Sequence, residues 1–152
     1  MAKLTTLEGL ESSDKYLLYG GIAAGAILLY MAAKKGGLGD DVPTSKIPVK
    51  DLDYVHVEAK SWFDRVNGNS YWSSRVYFGT KDKDYSFAEK FQYGYGSSSE
   101  YDSVNTLGKY VDFEGSSGNG SWEMQLRKHL GKKYKYTKER ALKREVKSWG
   151  EM

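Results

Sequence analysis

An uncharged stretch near the N-terminus constrains this chain more than any other feature. The run from Tyr16 to Ala33, YLLYGGIAAGAILLYMAA, contains no charged residue and no proline. The chain as a whole is the opposite, with 28% charged residues and a mean hydropathy of -0.65. Eighteen helical residues rise about 27 Å, close to the roughly 30 Å hydrocarbon core of a bilayer. The stretch therefore predicts a transmembrane helix, which we assign to residues 16–35.

A cleaved signal peptide and a buried core helix are the two alternatives for this stretch. A signal peptide begins with a short basic region, whereas here the stretch is preceded by residues 1–15, which include Glu8, Glu11 and Asp14. A core helix of a soluble domain carries a polar face, and this stretch has none. Both comparisons favour a membrane anchor.

The flanks and the glycines of the stretch fit that interpretation. Rings and long cations prefer the two interfaces of a bilayer, and the interfacial anchors are Tyr16, Tyr19, Tyr30, Lys34 and Lys35. Gly21 and Gly25 have the small-xxx-small spacing through which membrane helices approach closely. That spacing allows a homo-oligomer formed through the membrane helix. The alternative is that the glycines only make the helix thinner and have no role in packing.

The rest of the chain divides into a tether and one small domain. Residues 36–53 hold both prolines, Pro43 and Pro48, and are typical of an extended tether. Residues 54–150 form the domain, and their first part, up to residue 95, alternates aromatic and β-branched residues with polar ones, a pattern of half-buried strands. We expect an α+β fold in which a small antiparallel three-stranded sheet is packed by two or three short helices.

Turn and cap signals divide this domain. Val66-Asn67-Gly68-Asn69 predicts a hairpin between strands at 54–63 and 70–78, and a third strand fits 87–95. Ser97 and Glu100 have the capping-box spacing and predict a helix that carries Tyr101, Val104 and Leu107 on one face. Residues 122–130 predict a short helix ended by Gly131. Thr137 is the predicted cap of a last, basic helix.

Catalytic signals are weak. The chain has no cysteine and two histidines, His56 and His129. His56 and Glu58 share one strand face, which suits a proton relay or half a metal site, but an exposed, solvated pair is the favoured interpretation. Tyr93-Gly94-Tyr95-Gly96 lacks the lysine and glycine spacing of a phosphate loop. We therefore expect no enzyme activity, no cofactor and no metal.

Positive charge is concentrated at the C-terminal end. Residues 121–152 carry ten basic and four acidic residues, although the net charge of the whole chain is only +3. Cations that alternate with rings suit an anionic partner such as single-stranded nucleic acid or lipid headgroups, and a solvated helix face is the alternative. The candidate patch comprises Lys132, Lys133, Tyr134, Lys135, Tyr136, Lys138, Arg140, Lys143, Arg144 and Lys147.

Three segments, EAKSWFDRVNGNSYWSSRVYF, FQYGYGSSSEY and LKREVKSWG, carry a family resemblance. The domain resembles small bacteriophage-encoded proteins of unknown function that share an aromatic NGN[ST]Y hairpin, a YGYG strand end and a KREVxxWG tail. The membrane helix and tether are additions to that pattern, and the loop at 81–86 is longer.

The resemblance implies a viral setting without a mechanism. We expect a single-pass protein of a virion membrane or of the host cell inner membrane. Its partners would be the lipid bilayer and capsid or other virion proteins. The function expected is a minor structural protein of the virion, and the alternative is a membrane-tethered nucleic-acid-binding protein of the infected cell.

Overall fold

The structure, a computed structural model, describes residues 41–115 and 121–151. In this part of the chain four strands precede the first α-helix, and strands and helices alternate after it. In chain order the strands are β1 (Ile47–Pro48), β2 (Tyr54–Asp64), β3 (Asn69–Gly79), β4 (Asp84–Tyr93), β5 (Val111–Asp112) and β6 (Tyr134–Arg140). The helices are α1 (Ser98–Leu107), α2 (Ser121–Leu130) and α3 (Lys143–Trp149), and short 3-10 turns cover Val49–Asp51 and Gly131–Lys133. The predicted α+β class is confirmed.

The hairpin between β2 and β3 lies where its turn residues predict it. Gly68 adopts a φ of 69°, a conformation that glycine reaches without steric cost. The Asp64 carboxylate accepts the backbone N–H of Val66 at 3.0 Å and the Asn67 side-chain amide at 2.8 Å. These bonds close the turn and set the register, in which Trp62 lies opposite Tyr71 and Val57 opposite Val76.

The sheet contains one strand more than the sequence predicts. Its order is β4-β3-β2-β6, and β6 runs parallel to β2 with Val55 opposite Tyr134. The basic helix predicted from Thr137 is therefore wrong, because residues up to Arg140 are extended and α3 begins only at Lys143. Tyr and Thr favour strands, and β2 offers a free edge that this segment covers.

The predicted tether is folded in its second half. Within residues 36–53, β1 pairs with β5, and Ile47, Val49 and Leu52 are buried in the core. The chain joins the sheet earlier still, since Asp41 forms an isolated antiparallel bridge with Ser86 at the start of β4. The folded unit thus includes residues 41–53, which the prolines predict to be part of an extended tether.

The main core lies on one face of the sheet, beneath α1 and α2. Val55, Val57, Val76 and Phe78 meet the helices there, and the helix residues in the same cluster include Val104, Leu107, Leu126 and Leu130. Both helices lie close to their predicted positions. The capping box predicted for α1 does not form, since Ser97 makes no side-chain cap bond. Glu100 instead accepts hydrogen bonds from residues of other elements.

Helix α3 covers part of the opposite face. Val146 is fully buried, and the Ser73 hydroxyl donates to its carbonyl. Trp149 Nε1 donates to the Glu58 carbonyl at 3.1 Å, and Arg75 Nε donates to the Trp149 carbonyl at 2.9 Å. Short as it is, this helix is held by the sheet from its middle to its C-terminal end.

No helix within residues 41–115 and 121–151 is long and apolar enough to cross a bilayer. The predicted membrane helix at 16–35 lies outside the described residues, as do the flank at 1–15 and the interfacial and packing residues assigned to the helix.

Candidate functional site

The predicted basic patch is divided among three elements. Lys132 and Lys133 lie in the 3-10 turn Gly131–Lys133, and the final three cations of the patch, Lys143, Arg144 and Lys147, lie on α3. Between them, β6 carries Tyr134, Lys135, Tyr136, Lys138 and Arg140. Since alternate residues of a strand face opposite sides of a sheet, the patch does not form one surface.

The two tyrosines of the patch pack inward. Tyr134 is 6% exposed, and its hydroxyl donates to Glu100 Oε1 at 2.7 Å. Tyr136 lies 2.7 Å, oxygen to oxygen, from the Ser99 hydroxyl. Burial and then the bond to Glu100 raise the pKa of Tyr134. The prediction that these two rings are open for stacking on bases is therefore wrong.

A different set of rings is accessible at the hairpin end of the sheet. We call Trp62, Tyr71, Phe91, Tyr93 and Tyr95 the aromatic row. Ring centroids lie 5.6 Å apart for Trp62 and Tyr71, 5.1 Å for Tyr71 and Phe91, and 5.2 Å for Tyr93 and Tyr95. The row crosses β2, β3 and the end of β4, and Tyr93 and Tyr95 are 57% and 48% exposed.

A β-bulge brings β4 into this row. Trp72 pairs with Gln92 but Ser74 pairs with Glu89, so that two residues of β4 stand opposite Ser73. Such an extra residue reverses the alternation of side chains beyond it. Phe87 consequently points into the core, whereas Phe91 stacks on Tyr71 on the opposite face.

Cations of α3 lie over the row. Lys143 Nζ is 4.7 Å from the Trp62 ring centroid, and Lys147 Nζ is 5.6 Å from that of Phe91. At the C-terminal end of α3, outside the row, Lys60 and Arg75 lie over the Trp149 ring at 4.4 Å and 4.0 Å. Ammonium groups are attracted to ring faces, and α3 thereby sets lysines over two rings of the row, Trp62 and Phe91.

The sequence alone did not identify the aromatic row. Its residues were assigned only to strands and strand ends, and the bulge leaves no residue-type signal. The one available signal is that Tyr71 and Tyr93 lie near the ends of adjacent strands, beside turn residues, where a ring has no neighbouring element to cover it.

His56 and Glu58 lie on the same face as the row but are buried. They are 5% and 3% exposed, and His56 Nδ1 is 3.7 Å from Glu58 Oε1. Their side-chain nitrogens and carboxylate oxygens have no hydrogen-bond partner within the described part of the chain. The prediction of an exposed, solvated pair is wrong, because β2 is an inner strand with both faces covered.

Burial sets the protonation of this pair. It raises the pKa of Glu58 to about 7, with Arg75 opposing the rise and Glu139 adding to it, while Lys60 also lowers it. Burial lowers the pKa of His56 to about 4, aided by the charge of Lys135. Neutral forms of both groups are thus favoured in the folded chain. At 3.7 Å the two groups form no hydrogen bond with each other, and a metal ion needs further ligands.

Residues 41–115 and 121–151 contain no group of three or more His, Cys, Asp or Glu side chains that could hold a metal ion. The described residues thus define a small α+β domain with a mixed sheet, an exposed row of rings and a buried His–Glu pair. Comparison with protein-family models, with curated proteins and with solved structures finds no match.

Proposed function

We propose that this chain is a membrane-anchored minor structural protein of a bacteriophage virion that links a lipid bilayer to capsid or genome. The observation that carries the proposal is the uncharged stretch from Tyr16 to Ala33, which is long enough to span a bilayer and is followed by a folded unit. The viral setting rests on the resemblance of the hairpin, strand end and tail to phage proteins.

In this role the protein crosses a virion membrane, or the host cell inner membrane before assembly, once. Its partners are the lipid bilayer and capsid or other virion proteins. Gly21 and Gly25 are the residues through which membrane helices of several copies would pack together. The domain acts by binding, without an enzymatic step.

Fractionation of purified particles tests the proposal. The protein should be identified by mass spectrometry in the particles and should leave the capsid fraction with the lipid when detergent is added. Deletion of residues 16–33 should abolish incorporation, whereas replacement by an unrelated eighteen-residue Leu-Ala span should restore it. Retention in the capsid after detergent, together with normal incorporation of the deletion variant, would refute the anchor.

The second candidate is a membrane-tethered nucleic-acid-binding protein of the infected cell. The specific observation in its favour is the aromatic row with Lys143 and Lys147 placed over two of its rings. Rings and cations side by side are what unpaired nucleotides require. Binding of oligonucleotides by the full chain in detergent micelles at low salt tests this candidate, and absence of binding rules it out.

A further inference from the structure

We propose that single-stranded nucleic acid binds across the aromatic row, with bases stacked on Tyr93 and Tyr95 and phosphates paired with Lys143 and Lys147. The inference rests on the second candidate function and adds to it the surface and the class of nucleic acid. It transfers the binding site from the whole basic segment to the hairpin end of the sheet.

Exposure and charge at the hairpin end match this ligand. Tyr93 and Tyr95 are about half exposed, and their rings meet edge to face, so that each presents part of its surface outward. Two acidic groups lie nearby: Asp64 accepts bonds within the turn and interacts with the charge of Lys143, and Glu145 Oε2 accepts the Leu142 N–H at 2.8 Å. Lys143, Arg144 and Lys147 are exposed. The surface combines ring area with an excess of positive charge.

Accessible rings distinguish single strands from duplexes. In a duplex the bases stack on one another, and a protein reaches only their edges or the backbone. Unpaired bases can instead be laid against protein rings, which is worth roughly 1–3 kcal/mol per base by alanine substitution, or about 5- to 150-fold in affinity. A row that crosses three strands spaced about 4.8 Å apart suits an extended strand of a few nucleotides.

The spacing of the row favours nucleic acid over lipid headgroups. Ring centroids lie 5.6 Å apart for Trp62 and Tyr71, 5.9 Å for Tyr71 and Tyr93, and 5.2 Å for Tyr93 and Tyr95. Successive unpaired bases can therefore lie against successive rings. A phospholipid headgroup offers no ring that could stack in this way.

Fluorescence anisotropy with the full chain in neutral detergent micelles provides the test. The probes are labelled twenty-nucleotide oligo-dT, a matched twenty-base-pair duplex and a labelled water-soluble inositol phosphate, which stands for an anionic lipid headgroup. The ring variant is Tyr93→Ala, and its control is Tyr101→Ala, a tyrosine 38% exposed on α1. The charge variant is K143Q/K147Q, and its control is K128Q/K132Q, two exposed lysines outside α3 that remove the same charge.

The proposal predicts tighter binding of oligo-dT than of duplex. Tyr93→Ala should weaken oligo-dT binding about tenfold, and Tyr101→Ala should leave it unchanged. K143Q/K147Q should reduce the log–log salt slope by about 1.4, because each phosphate contact on a single strand contributes about 0.7. Circular dichroism and urea midpoints check that each variant is folded.

The outcomes distinguish failure of this inference from failure of the second candidate function. If oligo-dT binds but both charge variants reduce the slope equally and Tyr93→Ala has no effect, the row is not the site, although the second candidate function stands. If no oligonucleotide binds at low salt, both that function and this inference are wrong, while the proposed virion role is unaffected. Binding of the inositol phosphate without binding of either oligonucleotide, weakened in K143Q/K147Q, would overturn the inference in favour of a lipid headgroup.

Discussion

The buried residues His56 and Glu58 should make opposite contributions to the pH dependence of stability, and the two contributions should cancel in the intact protein. In the unfolded chain at pH 5 to 6, His56 is protonated and Glu58 is ionised. In the folded chain, burial holds the pKa of His56 near 4 and that of Glu58 near 7, so the imidazole is neutral and the carboxyl is protonated. Each state binds one proton on the pair. Folding therefore takes up no net proton from these two groups in this window.

When one residue of the pair is replaced, the pH dependence of stability that the other contributes becomes measurable. With His56→Gln, only Glu58 remains, and the folded state binds more protons than the unfolded one between pH 4.5 and about 7. Stability then falls as pH rises through that window. With Glu58→Gln, only His56 remains, and the unfolded state binds more protons between pH 4 and 6.5. Stability then falls as pH falls.

The size of the effect follows from the pKa values. The slope for one group is about 1.4 kcal/mol per pH unit where it is protonated in only one state. Burial of Glu58 destabilises the fold by about 3 kcal/mol above pH 7, and this loss of stability disappears below pH 4.5. Burial of His56 destabilises the fold by about 3 kcal/mol below pH 4, and this loss disappears above pH 6.5. From pH 5 to 6.5 each variant should change by about 2 kcal/mol, in opposite directions.

Urea unfolding followed by tryptophan fluorescence measures these slopes in the full chain in detergent micelles. Relative to the wild type, the free energy of unfolding should fall for His56→Gln and rise for Glu58→Gln between pH 5.0 and 6.5. All other titrating groups are common to both, so they cancel in the difference between the variants. Parallel pH profiles for His56→Gln and Glu58→Gln would show that the two groups titrate as solvated side chains and would refute the argument.

Three further predictions concern packing and use the same urea assay at pH 7. Leu126→Ala opens a cavity in the core and should cost about 2–5 kcal/mol, whereas Met124→Ala, at a residue 68% exposed on the same helix, should change stability by less than about 0.5 kcal/mol; equal effects would contradict the assigned helix face. A Cβ at Gly150 would lie 2.7 Å from the Glu89 carbonyl oxygen, so Gly150→Ala should cost about 1–3 kcal/mol, and an unchanged midpoint would show that α3 docks otherwise. Glu100→Gln leaves the buried Tyr134 hydroxyl with a weaker acceptor and should cost about 1 kcal/mol. The cost should be smaller in the Tyr134→Phe background, where only the Arg127 ion pair with Glu100 remains to be lost, and an equal cost in both backgrounds would contradict the assigned bond.

Local signals predicted the parts of the fold that neighbouring residues determine. Asn67-Gly68 marks its turn because few other residues accept its backbone angles. The 3.6-residue spacing of the apolar side chains in 122–130 identifies α2, and Gly131 ends it with a φ of 53°. In both cases the residues that define the element lie within one turn of each other.

Features that depend on distant contacts could not be predicted in this way. The charged residues of β6 have helical composition, and their extended state depends on pairing with β2, nearly eighty residues earlier. The burial of Glu58 depends equally on α3 and on strand order. The aromatic row required both the bulge in β4 and the docking of α3, so the rings were visible in the sequence while their common surface was not.

The bulge in β4 also divides one strand into two segments whose side chains are constrained differently, by the core before the bulge and by solvent after it. Before it, Phe87 belongs to the core, and a polar replacement at that position would destabilise the domain. After it, Tyr93 faces outward, and its identity can change at little cost in stability. An insertion or deletion of one residue at Lys90 would turn the side chains that follow it to the other face of the sheet. Homologous chains should therefore keep the length of this strand even where its outer rings are replaced.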